Sequence, residues 1–310
     1  MAITSPNGTA LSALTFGAMQ FGGTADAAQS EAMYAAARAA GVTHFDTAHG
    51  YTGGASEELL GRFAKDERDD LIIATKAGYT GGAGRQNLLS QFDISRQRLQ
   101  MDMVDILYLH RFDDATDLRE TLDAFATLKA RGHIRYVGLS NFAAWQVVKA
   151  QWLGAAFDLR VDILQPMYSL VKRQVEVELL PMCADQGIEI APYSPLGGGL
   201  LTGKYAQGGT GRLTEDERYA ARYGQDWMHD AARGLAQIAS DLSIAPAVLA
   251  VAWAMAHPTR PRPIISARSA EQLAPSLAAM DFDMTEDLYA QLSALTPRPA
   301  PATDRLEEQQ

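Results

Sequence analysis

Between residues 10 and 295, short apolar runs alternate with longer stretches whose apolar residues recur every three to four positions. These are the patterns of buried strands and of helices covered on one face. The first run, Leu11–Met19, alternates and breaks at Gly17. Asp26 is placed to cap a helix that reaches Ala40, with Ala28, Ala32, Met33, Ala36 and Ala39 on its apolar side and Gly41 as its stop. The next apolar run ends in an acid, Asp46, and a polar loop carrying Tyr51 leads to a helix opening Ala55-Ser56-Glu57. The unit repeats, with strands predicted at 71–75, 104–109, 134–138, 163–165, 188–191 and 263–265. Helices are predicted near 87–99, 117–130, 143–153, 175–186 and 231–242, and a long segment from Pro195 to about Gln225 interrupts the series.

Apolar strands separated by amphipathic helices imply a parallel sheet with both faces covered. Eight such units predict a closed α/β architecture, the (β/α)8 or TIM barrel, whose ligand-handling groups collect at the C-terminal strand ends. Asp46, Lys76, His110, Ser140, Asn141, Gln165 and Tyr193 all fall at or just past predicted strand ends. One domain is expected over 1–310, with residues from about 297 onward a mobile tail, because Pro297, Pro299 and Pro301 break regular structure.

The 310 residues are 47% hydrophobic, ample for such a barrel. A net charge of −10 argues against a nucleic-acid partner. No stretch approaches the ~18 apolar residues of a membrane span, and no leader pattern opens the chain, so a cytoplasmic protein without membrane contact is expected. The lone Cys183, in Leu179-Leu180-Pro181-Met182-Cys183-Ala184, leaves no internal disulfide and reads as a buried helical thiol. No metal site is expected.

Asp46, closing a buried strand, would be costly to bury without a cation. The run Asp46-Thr47-Ala48, the loop Tyr51, the motif Glu57-Glu58-Leu59-Leu60-Gly61, and the strand-end pairs Thr75-Lys76 and Leu109-His110 occur in one order along the chain. Together they resemble the aldo-keto reductase family. The resemblance implies Tyr51 as general acid, Lys76 as the ammonium that lowers the Tyr51 pKa, Asp46 as the partner of Lys76, and His110 as the group that orients a substrate carbonyl.

None of these side chains can donate a hydride, so a cofactor is required. A Gly-x-Gly-x-x-Gly between a first strand and helix is absent, and the glycines from Gly197 to Gly203 lack that spacing. The resemblance implies NADP (NADPH), leaving NAD open, laid across the barrel mouth. Ser140, Asn141 and Gln165 would meet its nicotinamide end, Tyr193 would stack on the ring, and Met19 would also contact the cofactor. Ser194, Leu196, Gly197 and Lys204 would line its diphosphate. Ser266, Arg268, Gln272 and Ser276 would meet the adenosine, with Arg268 on a 2′-phosphate. Ser266 and Ser276 depart from the glycine and asparagine usual in the family at those places. Tyr168-Ser169-Leu170-Val171-Lys172 mimics a Tyr-x-x-x-Lys pair but reads as a loop.

Substrate choice is expected in Phe21, Tyr79, Phe112 and the segment 205–227, and Arg111 beside His110 hints at an anionic substrate, although its place on the strand end predicts that it points away. The reading is an NADP-dependent reductase of a small aldehyde or ketone, of open oligomeric state. Two alternatives stand beside it: a catalytically silent NADP-binding regulator, like the potassium-channel subunits of this fold, and an aldolase using Lys76 as a Schiff-base amine.

Overall fold

The computed structural model describes residues 2–308. Its strands are β1 (Thr15–Gly17), β2 (His44–Asp46), β3 (Ile72–Ala77), β4 (Val104–Leu109), β5 (Ile134–Ser140), β6 (Ile163–Gln165), β7 (Glu189–Ile190) and β8 (Ile264–Ile265). All neighbours are parallel, in the order β7-β6-β5-β4-β3-β2-β1-β8. The two ends of that series meet: the Arg262 amide donates to the Ile190 carbonyl and the Ile264 amide to the Pro192 carbonyl, each at 2.8 Å. Tyr193 also pairs with Ile264 in parallel register. The sheet therefore curls into the (β/α)8 arrangement predicted from the pattern.

The helices are α1 (Ala27–Ala39), α2 (Ala55–Ala64), α3 (Arg85–Leu99), α4 (Leu118–Ala130), α5 (Ala144–Gly154), α6 (Leu179–Gln186), α7 (Arg212–Glu215), α8 (Glu217–Tyr223), α9 (Asp226–Asp241), α10 (Pro246–Met255), α11 (Ala270–Leu277) and α12 (Glu286–Ser293). Asp26 caps α1 through the Gln29 amide at 2.8 Å. Ile72, Ala74, Ile106, Tyr108, Ile163 and Ala191 fill the barrel interior. Gly138 on β5 makes room for one of them: a Cβ there would lie 2.3 Å from the Tyr108 ring. Phe16, Phe45, Leu107 and Leu139 face outward to the helices.

Three expectations need correction, and one buried helix was missed. Only Thr15–Gly17 of the first run is paired as strand. The segment 195–225 is not a plain interruption, since it holds a tight helical turn at Gly197–Thr202 and the helices α7 and α8. The run expected as one helix over 175–186 is a turn at Gln174–Glu176 followed by α6. Helix α10 was not predicted at all. Its residues from Ala247 to Ala254 are buried on every side, so no amphipathic period marks it. No single helix among the described residues is long and apolar enough to cross a membrane.

Candidate active site

Asp46 is the last residue of β2, 2% exposed. Lys76 lies on β3, whose register sets Asp46 beside Ala74, so the two side chains meet inside the barrel mouth. The Lys76 ammonium, on a fully buried side chain, donates to Asp46 Oδ2 at 2.5 Å, to the Thr47 carbonyl at 2.8 Å and to the Tyr51 hydroxyl at 3.3 Å. Gln165 Nε2 donates to the other Asp46 oxygen at 2.9 Å. Three of the four predicted groups thus share hydrogen bonds around one nitrogen. His110 follows β4, its amide fixed on the Ala77 carbonyl at 2.9 Å. Its ring stands edge-on to Tyr51, with centroids 6.0 Å apart.

The Tyr51 loop is held from beneath. Thr52, Gly53 and Gly54 take left-handed backbone angles, and a Cβ on Gly54 would lie 2.5 Å from the Arg98 guanidinium carbon. That clearance lets Arg98 donate to the His49 carbonyl at 2.9 Å and pair with buried Glu57 at 3.3 Å. Glu57 also accepts from Thr75 Oγ1 at 2.6 Å, which ties α2 to β3. Sequence reasoning quoted Glu57 only as part of a motif and missed Arg98; a buried acid on α2 required a cation, and that was the available signal.

Burial opposes charge on Lys76, but Asp46 and Tyr51 outweigh it and hold the ammonium above its ordinary range. Burial pushes the Asp46 carboxyl up against the pull of Lys76 and Gln165. Burial also raises Tyr51, and the Lys76 charge offsets this only in part. Lys76 thus lowers Tyr51 as the resemblance implied, but desolvation of the phenol exceeds that attraction and the net shift is upward. His110 is driven down to about 3 by burial, then by Lys76 and Arg111, so its imidazole is neutral at ordinary pH.

A second group of predicted residues forms one polar chain beside this centre. Tyr193 donates its hydroxyl to Asn141 Oδ1 at 2.7 Å, and Asn141 Nδ2 donates to the His110 carbonyl at 2.9 Å and to Ser140 Oγ at 3.1 Å. Ser140 in turn donates to the Gln165 carbonyl at 3.0 Å. Asn141 holds this place with φ of +58°, a left-handed angle that asparagine tolerates. Met19 sits half-buried in the turn after β1.

The remaining predicted positions extend outward. Ser194, Gly197, Gly198 and Gly199 all have positive φ, and successive backbone amides in such turns form anion-binding concavities. Leu196 is half-buried among them, and Lys204 lies 4.8 Å over the Tyr205 ring. Ser266 follows β8, and its buried Oγ has no hydrogen-bond partner among the described residues. Arg268 is exposed and 3.7 Å from Glu215, while its amide donates to Gln272 Oε1 at 2.8 Å. Ser276 is buried on α11.

Two side-chain expectations fail, and one cluster was missed. Phe21 does not rim the pocket; it is fully buried between Phe16 and Phe63. Arg111 does not point away, because its guanidinium lies 4.8 Å over Tyr79, whose ring is 4.8 Å from His110. The missed cluster is on α8, for which no residue was singled out. Tyr219 lies between Arg212 and Arg222, at 5.3 and 5.4 Å, and stacks on Tyr223. The spacing of Tyr219, Arg222 and Tyr223 at i, i+3 and i+4 was the legible signal. Tyr168, of the mimic motif, donates to Glu176 at 2.9 Å instead of meeting Lys172, in keeping with its reading as a loop. Cys183 is buried on α6, its thiol pushed up to about 12 by desolvation.

Comparison with known proteins agrees with this geometry. The profile of the Aldo/keto reductase family matches residues 13–297. A probable voltage-gated potassium channel subunit beta of Oryza sativa subsp. japonica is 34% identical over 89% of each chain. An uncharacterized oxidoreductase of Bacillus subtilis (strain 168) is 30% identical over 96% of this chain and 95% of its own. The L-glyceraldehyde 3-phosphate reductase of Escherichia coli O157:H7 is 36% identical over 68% of this chain and 64% of its own. With the barrel, the strand-end residues and a family match that spans nearly the whole sequence in agreement, the chain belongs to the aldo/keto reductase family.

Proposed function

We propose that the protein is an NADP-dependent oxidoreductase that reduces an aldehyde or ketone to the alcohol, with Tyr51 as the proton donor. The observation that carries this reading is the fully buried Lys76 ammonium shared by Asp46 and the Tyr51 hydroxyl. A raised Tyr51 pKa keeps the phenol protonated at neutral pH and ready to give its proton. As negative charge develops on the carbonyl oxygen, Tyr51 releases a proton to it, and Lys76, 3.3 Å away, stabilises the phenolate left behind. Neutral His110 can donate one ring N–H to the same oxygen without carrying competing positive charge. Asp46 keeps the ammonium charged and in place, itself anchored by Gln165.

The residues present fit a nicotinamide dinucleotide. Tyr193 offers a flat aromatic face, Ser140, Asn141 and Gln165 offer amides and a hydroxyl, and the positive-φ turn at 197–199 offers backbone amides. The unpartnered Ser266 Oγ is an orphaned polar group that a ligand would satisfy. When bound, such a cofactor supplies the hydride. Arg268 would hold a 2′-phosphate, although Glu215 already leans on it, which moderates the preference for NADP over NAD.

A small carbonyl compound suits a mouth that carries the half-exposed Tyr79 beside His110 and the Arg111 guanidinium over the Tyr79 ring. The reductase name of one relative supports that substrate class. The 34% identity to a channel subunit favours one other reading, a nucleotide-binding regulator without turnover. An aldolase is disfavoured, because a Schiff-base lysine must be neutral and Asp46 holds Lys76 charged. The test is NADPH oxidation followed by absorbance with a panel of aldehydes, wild type beside Tyr51→Phe. Turnover that falls by about 100-fold or more in the variant, with NADPH binding retained, is expected. Tight NADPH binding with no turnover on any aldehyde would favour the regulator.

A further inference from the structure

Beside the barrel mouth a cavity of about 650 Å3 opens between the loops after β5 and β6, the start of α9 and the C-terminal segment. Sites for drug-sized molecules span about 300–1,000 Å3. Phe142, Met167, Leu179, Trp227, Pro297 and Pro299 give it apolar walls. Asn141 and Tyr193 form the side that it shares with the polar chain described above. Tyr51, Lys76 and His110 are not on its wall, so the cavity adjoins the reaction centre without containing it.

Its charged groups differ in how far they are already satisfied. Arg173 makes two 2.9 Å bonds to Glu176 and donates to the Ser293 carbonyl at 2.8 Å. Glu178 and Arg298, the other charged groups on its wall, are exposed to water. Lys172 is half-buried, and among the described residues its ammonium makes no ion pair; it lies 5.6 Å over the Tyr223 ring. The Tyr223 ring stacks on Tyr219, and Arg222 lies against Tyr219 in turn, so a second cation stands behind the aromatic pair. Burial, and after it Arg222, lower the Lys172 pKa. A partly desolvated ammonium beside an apolar cavity lacks the counter-charge that would offset its burial.

We propose that this cavity is a second ligand site, for a molecule with an apolar body of aromatic size and one anionic end group that pairs with Lys172. The apolar walls take the body, and the ammonium takes a carboxylate or phosphate by a charge-assisted hydrogen bond. The site does not depend on the reductase reading, because binding here needs no turnover.

Calorimetric titration tests it with 2-naphthoate, 2-naphthyl phosphate and the neutral 2-naphthalenemethanol, on wild type, Lys172→Met and Lys172→Arg, each with and without saturating NADPH. One anion is expected to bind per chain more tightly than the alcohol. Its affinity should fall about tenfold or more in Lys172→Met and be retained in Lys172→Arg, while the alcohol is unaffected. The tighter of the two anions identifies the end group as carboxylate or phosphate. The proposal is overturned if neither anion binds saturably, or if wild type binds naphthoate and the alcohol equally. It is likewise overturned if Lys172→Met leaves the anion affinity unchanged, or if NADPH displaces the anion by simple competition, which would put it in the nucleotide groove.

Discussion

Replacing Lys76 by methionine keeps the length of the side chain and removes its charge. Asp46, 2% exposed, would then keep one bond, from Gln165 at 2.9 Å, and lose the ammonium at 2.5 Å. The Thr47 carbonyl would lose its donor as well. Removing one member of a buried ion pair costs about 3–5 kcal/mol, because the other charge stays desolvated. Adding Asp46→Asn removes that charge while leaving an oxygen for Gln165, so the double variant should recover at least about 2 kcal/mol of the loss. The single variant carries a further signature. Without Lys76 the factors that pull Asp46 down weaken and burial prevails, so its folded pKa lies above the unfolded value of about 3.9. The folded state then binds the extra proton, and Lys76→Met gains stability as pH falls from 7 toward 5, a gain lost again as pH rises through the folded pKa. Urea unfolding followed by circular dichroism at several pH values, on the wild type, both single variants and the double variant, measures all four terms. A Lys76→Met cost under about 1 kcal/mol with no coupling to Asp46→Asn would refute the buried-pair argument.

Two other outcomes follow from groups away from that pair. His44, fully buried with Nδ1 2.9 Å from Thr15 Oγ1, is lowered to about 3 by burial, then by Arg262 and Lys76. A depressed pKa of this kind contributes stability above the unfolded value that is lost as pH falls toward the folded one, roughly 2–3 kcal/mol between pH 6.5 and 4.5. His44→Asn should flatten the acid side of the stability curve by that amount, and parallel curves would contradict it. At the other end of the site, Arg268→Ala should weaken NADPH about tenfold with little change for NADH, whereas Glu215→Gln, by releasing Arg268 from its 3.7 Å contact, should tighten NADPH alone. Fluorescence titration with both nucleotides checks this, and equal losses for the two would remove Arg268 from phosphate recognition.

Strand positions were legible because parallel strands buried on both faces read as continuous apolar runs, and their C-terminal ends bring together residues far apart in sequence. Asp46 and Lys76 could be paired on paper for that reason. What the sequence could not supply was rotamer and depth. Arg111 reaches back over Tyr79 although its place on the strand end pointed it away, and Phe21 turns inward although it sits on a loop. Desolvation was equally hidden: the attraction of Lys76 for a Tyr51 phenolate can be argued from residue types, but the opposing burial depends on what the loop covers. Helix α10 escaped because a helix buried all round has no polar side to reveal its period.

The joint between β7 and β8 has a temporal meaning. It depends on residues 262–264, which follow the other seven strands, reaching Ile190 and Pro192, while β8 pairs on its other side with β1 at Thr15 and Phe16. During synthesis from the N-terminus, every other strand can be in place while β1 and β7 still present unpaired backbone along two open edges. Such edges are templates for association with other chains. Residues 262–265 thus act as a clasp, and the interval before it fastens is when a nascent copy is most exposed to mispairing with its neighbours.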